Sequence, residues 1–160
     1  MFDVVLYRPE IPPNTGNLMR LCVNTGCRLH LIHPIGFELD DARMRRAGLD
    51  YREYADVRHH EDWDAYLERV NPQRVFAYTQ HGSTRYTSVR YRAQDTLLFG
   101  PESAGLPDWV MHHPSVTARV VIPIAQGGRS LNLANAAAIA IYEAWRQHDF
   151  GEPRERARDG

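Results

Sequence analysis

RVVIPIAQGGRSLNLANAAAIAIYEAWRQ, residues Arg119–Gln147, is the stretch whose reading decides the fold. Arg119–Ile124 is rich in β-branched residues and predicts a strand. Gln126-Gly127-Gly128-Arg129 interrupts it with turn residues. Ser130 is a natural N-cap, and from Leu131 to about Gln147 the pattern is one long helix. The backbone N–H groups at such a helix start suit an anion or a polar ligand. From Leu133 to Ile141 the helix is apolar nearly all round and rich in alanine, so it packs closely on more than one side. We read it as part core and part subunit interface; a plain buried helix explains the alanines as well.

The same grammar extends towards the N-terminus. Phe2–Tyr7 (FDVVLY) predicts a strand ended by Arg8-Pro9. Pro12-Pro13 before Asn14-Thr15 predicts a helix capped by Asn14 or Thr15, running to Thr25 and stopped by Gly26. Arg28–Ile32, Arg74–Thr79 and Thr96–Phe99 read as strands; Asp40–Ala47 and Glu61–Val70 read as helices. Alternating strands and helices give an α/β fold, a mostly parallel sheet with helices on both faces. Residues 1–150 are expected to form one domain, and 151–160, which lack apolar periodicity, a disordered tail.

Composition narrows the chemistry. The chain has 160 residues and a net charge of -1, and all nineteen of its Lys+Arg residues are arginine. Without lysine, Schiff-base catalysis and P-loop or kinase-type nucleotide handling are excluded. Phosphate contacts then fall to arginine, backbone N–H groups and neutral polar side chains. No signal-peptide core or membrane-length apolar run is visible, so a soluble cytoplasmic protein is expected. Near-neutral charge leaves room for a local basic patch.

Three constellations stand out. On the first helix, Asn14, Asn17, Arg20 and Asn24 share one face, three amides and an arginine without a carboxylate. Amides are poor helix formers, so this face is read as turned towards something specific, with capping and chance as the alternative. Second, LLFGPESAGLP (Leu97–Pro107) places Glu102 just past the C-terminal end of a strand, where open α/β sheets hold ligands. Glu102 could instead cap a short helix near Asp108–His112. Third is the Gly127–Asn132 turn described above. Neither G-x-G-x-x-G after the first strand nor a Walker motif is present.

Other clusters are set aside. Cys22, Cys27, His30 and His33 do not follow a usual zinc spacing, and we read both cysteines as small buried residues, with no metal expected. His59-His60 and His112-His113 are read as surface histidines.

In this order the three motifs resemble the SPOUT RNA 2′-O-methyltransferases. The match is NTGNLMR (Asn14–Arg20), FGPESAGLP (Phe99–Pro107), and Ile122-Pro-Ile followed by Arg129-Ser-Leu-Asn132, across residues 1 to about 148. PEIPPNTGN (Pro9–Asn17), RRAGLD (Arg45–Asp50) and YEAWR (Tyr142–Arg146) are similar to the members that modify the wobble ribose of tRNA. The resemblance implies a C-terminal trefoil knot, a homodimer, S-adenosylmethionine as cofactor and tRNA as partner. The nucleotide would be cytidine or a modified uridine, in leucine tRNAs. It implies cofactor contacts at Tyr78, Thr79, Gly100, Ile122, Ser130 and Leu131, and catalytic positions at Arg20, Asn14, Glu102, Ser130 and Asn132. Tyr142 lies on a helix stripe with Asn132, Asn135 and Ile139 and is expected to reach the same cleft. Arginine is effectively always charged, so Arg20 is assigned to a phosphate and to developing charge, with a phosphate oxygen or water as proton acceptor. Arg43, Arg45 and Arg46 are candidate RNA contacts, or a solvated face balanced by Asp40 and Asp41. Another RNA such as rRNA, or a non-catalytic binding module, are the competing readings.

Overall fold

The computed structural model describes residues 1–39, 41–46, 48 and 56–151. Its strands are β1 (Asp3–Tyr7), β2 (Arg28–Ile32), β3 (Arg58–His60), β4 (Val75–Tyr78), β5 (Thr84–Arg85), β6 (Thr96–Phe99) and β7 (Val116–Val121). They form one sheet in the order β3-β2-β1-β6-β4-β7-β5, and every pair is parallel. The helices are α1 (Pro12–Thr25), α2 (Asp41–Arg46), α3 (Trp63–Val70), α4 (Asp108–Met111) and α5 (Leu133–Arg146). The chain lays down β1 to β3 outward, returns at β4, and later inserts β6 between β1 and β4 and β7 between β4 and β5.

Side-chain alternation along the strands builds two apolar layers. Val4, Leu6, Leu97 and Phe99 face α1 and α5, through Leu18, Met19, Cys22, Ala137, Ala140 and Ile141. Val5, Tyr7, Ala77 and Leu98 face α3 and α4, through Trp63, Tyr66 and Val110. The α/β class with helices on both faces is therefore as expected. The alanines of α5 let it lie close to the sheet and to α1.

Element boundaries moved for identifiable reasons. Helix α3 starts at Trp63, not Glu61, because the Asp62 carboxylate accepts the Ala65 N–H at 2.8 Å as its cap. Strand β7 starts earlier than expected and stops at Val121, so Ile122-Pro123-Ile124 belong to the following loop. Helix α1 begins at Pro12 with Ile11 as N-cap, so neither Asn14 nor Thr15 caps it. Proline at the first helical positions costs nothing there, since those N–H groups have no intrahelical partner. β3 and β5, three and two residues long, carry too little pattern to be read from sequence. The expected C-terminal tail from residue 152 onward lies outside the described residues.

The cysteines are buried and free, and burial pushes both thiols up. The surface reading of the first histidine pair fails for His60, which is 4% exposed. His60 Nε2 lies 2.9 Å from His30 Nδ1, and His30 Nε2 lies 3.1 Å from the buried Asp3 carboxylate, which Arg28 grips at 2.6 and 2.8 Å. Burial alone would raise the Asp3 carboxyl, but hydrogen bonds from His30 and Arg28 hold it below its ordinary value. Burial and the neighbouring His30 push His60 down to about 4. His59 and His112 are exposed, and His113 is half-buried.

Candidate active site

Three loops and the start of α1 enclose a cleft of about 560 Å³ over the C-terminal ends of β4, β6 and β7. The first loop, Thr79–Gly82, is pinned to β7. Thr79 donates its N–H to Val120 at 2.9 Å, and a Cβ on Gly82 would collide with the backbone of Val120 and Val121. The second loop curls back on itself. A Cβ on Gly100 would strike the backbone of Gly105 and Leu106, and Gly105 has φ of +68°. Only glycine accommodates the first contact without a shift, and glycine takes the second conformation at least cost. In the third loop Gly127 has φ of +82° and the Gly128 N–H closes a turn on Ala125 at 2.9 Å.

Polar side chains tie these parts together. Glu102 does not cap α4; it reaches across to the entry of α1. Its carboxylate accepts the N–H of Glu10 at 2.7 Å, the N–H of Ile11 at 3.1 Å and the Asn14 amide at 3.3 Å. Those N–H groups precede or begin the helix, where a negative charge is favoured. Asn14, which is buried and does not cap the helix, accepts from Asn132 Nδ2 at 2.9 Å. Asn132 in turn accepts the N–H groups of Ala134 and Asn135 at 2.9 and 3.3 Å. Asn132, not Ser130, is therefore the N-cap of α5: only its oxygen reaches the orphan N–H groups, while Ser130 lies two residues upstream on the cleft wall.

The cleft floor is largely apolar. Tyr78 stacks on Phe99 at 4.7 Å between ring centroids, and its hydroxyl lies 2.6 Å from that of Tyr91. Burial pushes the Tyr78 hydroxyl far up, so Tyr78 offers a wall and not a proton. Val120, Ile122, Leu133 and Ala136 complete the apolar surface. An apolar slot with backbone edges and a few convergent polar groups suits a flat heterocyclic ligand with a polar rim.

All six positions expected to contact the cofactor, Tyr78, Thr79, Gly100, Ile122, Ser130 and Leu131, line this one cleft, as do Asn14, Glu102 and Asn132. Two expected residues stand outside it. Arg20 lies roughly 9 Å further along α1 than Asn14, with its guanidinium donating to the Gly48 carbonyl. Tyr142 is 47% exposed, packs edge-on to Trp145, and sits roughly 15 Å along α5 from Asn132. The helix stripe places Tyr142 on a shared face but too far along it to line this cleft. Arg45 and Arg46 are exposed on α2; Arg43 belongs to α2, but its side chain and Asp40 lie outside what is described.

The structure also adds residues. Glu10 accepts the Ser103 hydroxyl at 2.7 Å and the Ser103 N–H at 3.3 Å, clasping the second loop to the entry of α1. Ser103 and Glu10 each lie inside a quoted motif, Phe99–Pro107 and Pro9–Asn17; neither has a spacing that announces a 93-residue contact. Gln80 and His81 line the cleft as well, their only signal being a position directly after a strand.

The comparisons agree with this geometry. Residues 1–142 match the SpoU rRNA Methylase family. A tRNA (cytidine(34)-2'-O)-methyltransferase of Methylovorus glucosotrophus is 52% identical over 150 residues, covering 94% of this chain and 97% of the relative. A solved structure concerned with 2-OH methylation of C/U34 on tRNA superposes with a TM-score of 0.85 at 44% identity, over 94% of this chain and 97% of that one. An AdoMet-bound rRNA methyltransferase from Sinorhizobium meliloti superposes with a TM-score of 0.78 at 26% identity, but this chain covers only 56% of its length. With a match over most of its length, the chain belongs to the SpoU rRNA methylase family.

Proposed function

We propose that the chain transfers a methyl group from S-adenosylmethionine to the 2′-hydroxyl of the wobble nucleotide of tRNA, cytidine or a modified uridine. One observation carries this reading: the six positions expected to hold the cofactor converge on a single cleft at the C-terminal edge of the sheet. The relatives cited above supply the substrate class, since the tRNA enzyme matches along nearly its whole length and the rRNA enzyme along little more than half.

The cleft fits the cofactor by its chemistry. The Tyr78–Phe99 wall and Ile122 provide apolar surface for a heterocycle, and the loops at Thr79, Gly100 and Ser130-Leu131 present backbone edges beside it. S-adenosylmethionine supplies, when bound, a methyl carbon activated by its sulfonium. The chain's task is then to place a ribose hydroxyl against that carbon and to exclude water, and such positioning lowers a barrier by about 7–11 kcal/mol. Glu102, Asn14 and Asn132 form a rigid relay that fixes α1 relative to the cleft, and so the direction in which Arg20 projects. Arg20 binds the phosphate beside the reacting ribose and stabilises developing charge, and the proton passes to a phosphate oxygen or water.

We further propose a trefoil knot near the C-terminus, supported by the late insertion of β6 and β7 between earlier strands. A homodimer is supported by the exposed Ile139 and Tyr142 beside the alanines of α5; in a dimer Tyr142 would serve the partner's cleft or the interface. No described helix is long and apolar enough to cross a membrane; a cytoplasmic location is part of the proposal, supported by a tRNA substrate. The test is incubation with labelled S-adenosylmethionine and total RNA, followed by nuclease mapping. Label is expected on the ribose of the wobble nucleotide, in leucine tRNAs. Label on a base, or on rRNA, would overturn the assignment, and no transfer to any RNA would favour a non-catalytic module.

A further inference from the structure

The cleft carries a charge problem that the relay does not solve. Resting on the function just proposed, its ligands carry oxyanions: the cofactor's methionyl end has a carboxylate beside its ammonium, and the RNA brings phosphates. Yet the described cleft wall holds no arginine, and the chain has no lysine. Its one carboxylate, Glu102, is committed to Glu10, Ile11 and Asn14, and the Tyr78 hydroxyl is committed to Tyr91. Among the described lining residues this leaves one imidazole as a side-chain donor for an oxyanion, His81.

His81 sits on a turn built to hold it. The Thr79 hydroxyl accepts the His81 N–H at 3.2 Å, and Gly82 donates its own N–H to the Thr79 carbonyl at 3.2 Å. Gly82 is pressed against Val120 and Val121 so closely that no Cβ fits. The backbone beneath the imidazole is therefore fixed to the sheet, while the residue is exposed at the cleft wall. A donor on a preorganised turn, beside a slot for a ligand that carries an oxyanion, has the arrangement of an anion contact.

We propose that His81 is the anion-recognising residue of the cleft, donating from its ring to an oxyanion of the bound ligands. Two sources share that chemistry, the carboxylate of the cofactor's methionyl end and an RNA phosphate other than the one assigned to Arg20. The test uses His81→Ala and His81→Lys with three readouts: calorimetric affinity for S-adenosylhomocysteine, for 5′-methylthioadenosine (which lacks the carboxylate), and the KM for tRNA as a function of salt. If His81 holds the carboxylate, His81→Ala weakens S-adenosylhomocysteine binding about tenfold and leaves methylthioadenosine unchanged. If it holds a phosphate, both nucleosides bind as before, the tRNA KM rises about tenfold and the salt dependence becomes shallower. In either case His81→Lys restores the lost affinity, because the ammonium also donates to an oxyanion. Equal loss for both nucleosides, no change in any readout, or no rescue by lysine would overturn the proposal. Wild-type chain that failed to bind S-adenosylhomocysteine would instead overturn the function on which it rests.

Discussion

Asn14 is the hinge of the polar relay, and two substitutions there separate packing from charge. Asn14→Leu keeps the branching at Cγ and removes both side-chain bonds, the one to Glu102 at 3.3 Å and the one from Asn132 at 2.9 Å. Glu102 keeps its two backbone donors, and Asn132 is exposed enough to find water. The net cost is then about 2 kcal/mol, or roughly 4–8 °C in Tm for a chain of this size. Asn14→Asp is isosteric but sets a second carboxylate 3.3 Å from Glu102. At an effective dielectric of about 20, two such charges repel by about 5 kcal/mol. The pair can escape by keeping one proton, and at pH 7 that costs about 4 kcal/mol for a group that ordinarily titrates near 4. The smaller figure bounds the penalty. The shared proton gives the pair a raised value in the folded state, so the folded chain takes up a proton that the unfolded chain does not. The variant therefore recovers as pH falls, by about 1.4 kcal/mol per unit. Thermal melts of wild type and both variants at pH 7, 6 and 5 test this. The Asn14→Asp deficit should shrink from roughly 10 °C at pH 7 to a few degrees at pH 5, and the Asn14→Leu deficit should stay constant. A flat Asn14→Asp deficit, or an Asn14→Leu variant as stable as wild type, would refute the relay.

Gly100→Ala drives a methyl into the backbone of Gly105 and Leu106; the loop must move, and affinity for S-adenosylhomocysteine should fall about tenfold or more, as calorimetry would show. His60 is depressed to about 4, so the unfolded chain binds its proton first and stability falls as pH drops from about 6.5 to 4. Screening limits the loss to about 2 kcal/mol; urea titrations should show the slope in wild type and a flatter one in His60→Gln. Arg20→Lys keeps the charge and loses the planar fork, so kcat should drop about 10–100-fold; near-normal turnover would remove the bidentate role. Replacing Arg43, Arg45 and Arg46 by glutamine should lower the log–log salt slope of tRNA binding by about 2–3, and an unchanged slope would make them a solvated face.

Much of the architecture was legible because it depends on short-range pattern. The apolar runs at Val4–Tyr7, Val75–Tyr78 and Leu97–Phe99 have no other stable use than central parallel strands, and their alternation with amphipathic helices sets the class. Strands β3 and β5 were invisible because so few residues carry no period; their partners in the sheet define them. His60 was misread for the same reason. Nothing local to it shows that the far edge of the sheet brings it against His30 and, through His30, Asp3.

The sequence by itself determined which residue types were available: arginine without lysine, glycines at positions 100 and 127, amides in place of carboxylates along α1. It also marked α1 and the loops following β6 and β7 as candidate site segments, since each of those motifs is contiguous in the chain. Tertiary structure alone decided how they meet. Glu102 reaches Glu10 and Ile11 across more than ninety residues, and Asn14 reaches Asn132 across 118. Such contacts leave no period or spacing, because they exist only once the insertion of β6 beside β1 has brought the ends of distant segments to the same edge of the sheet.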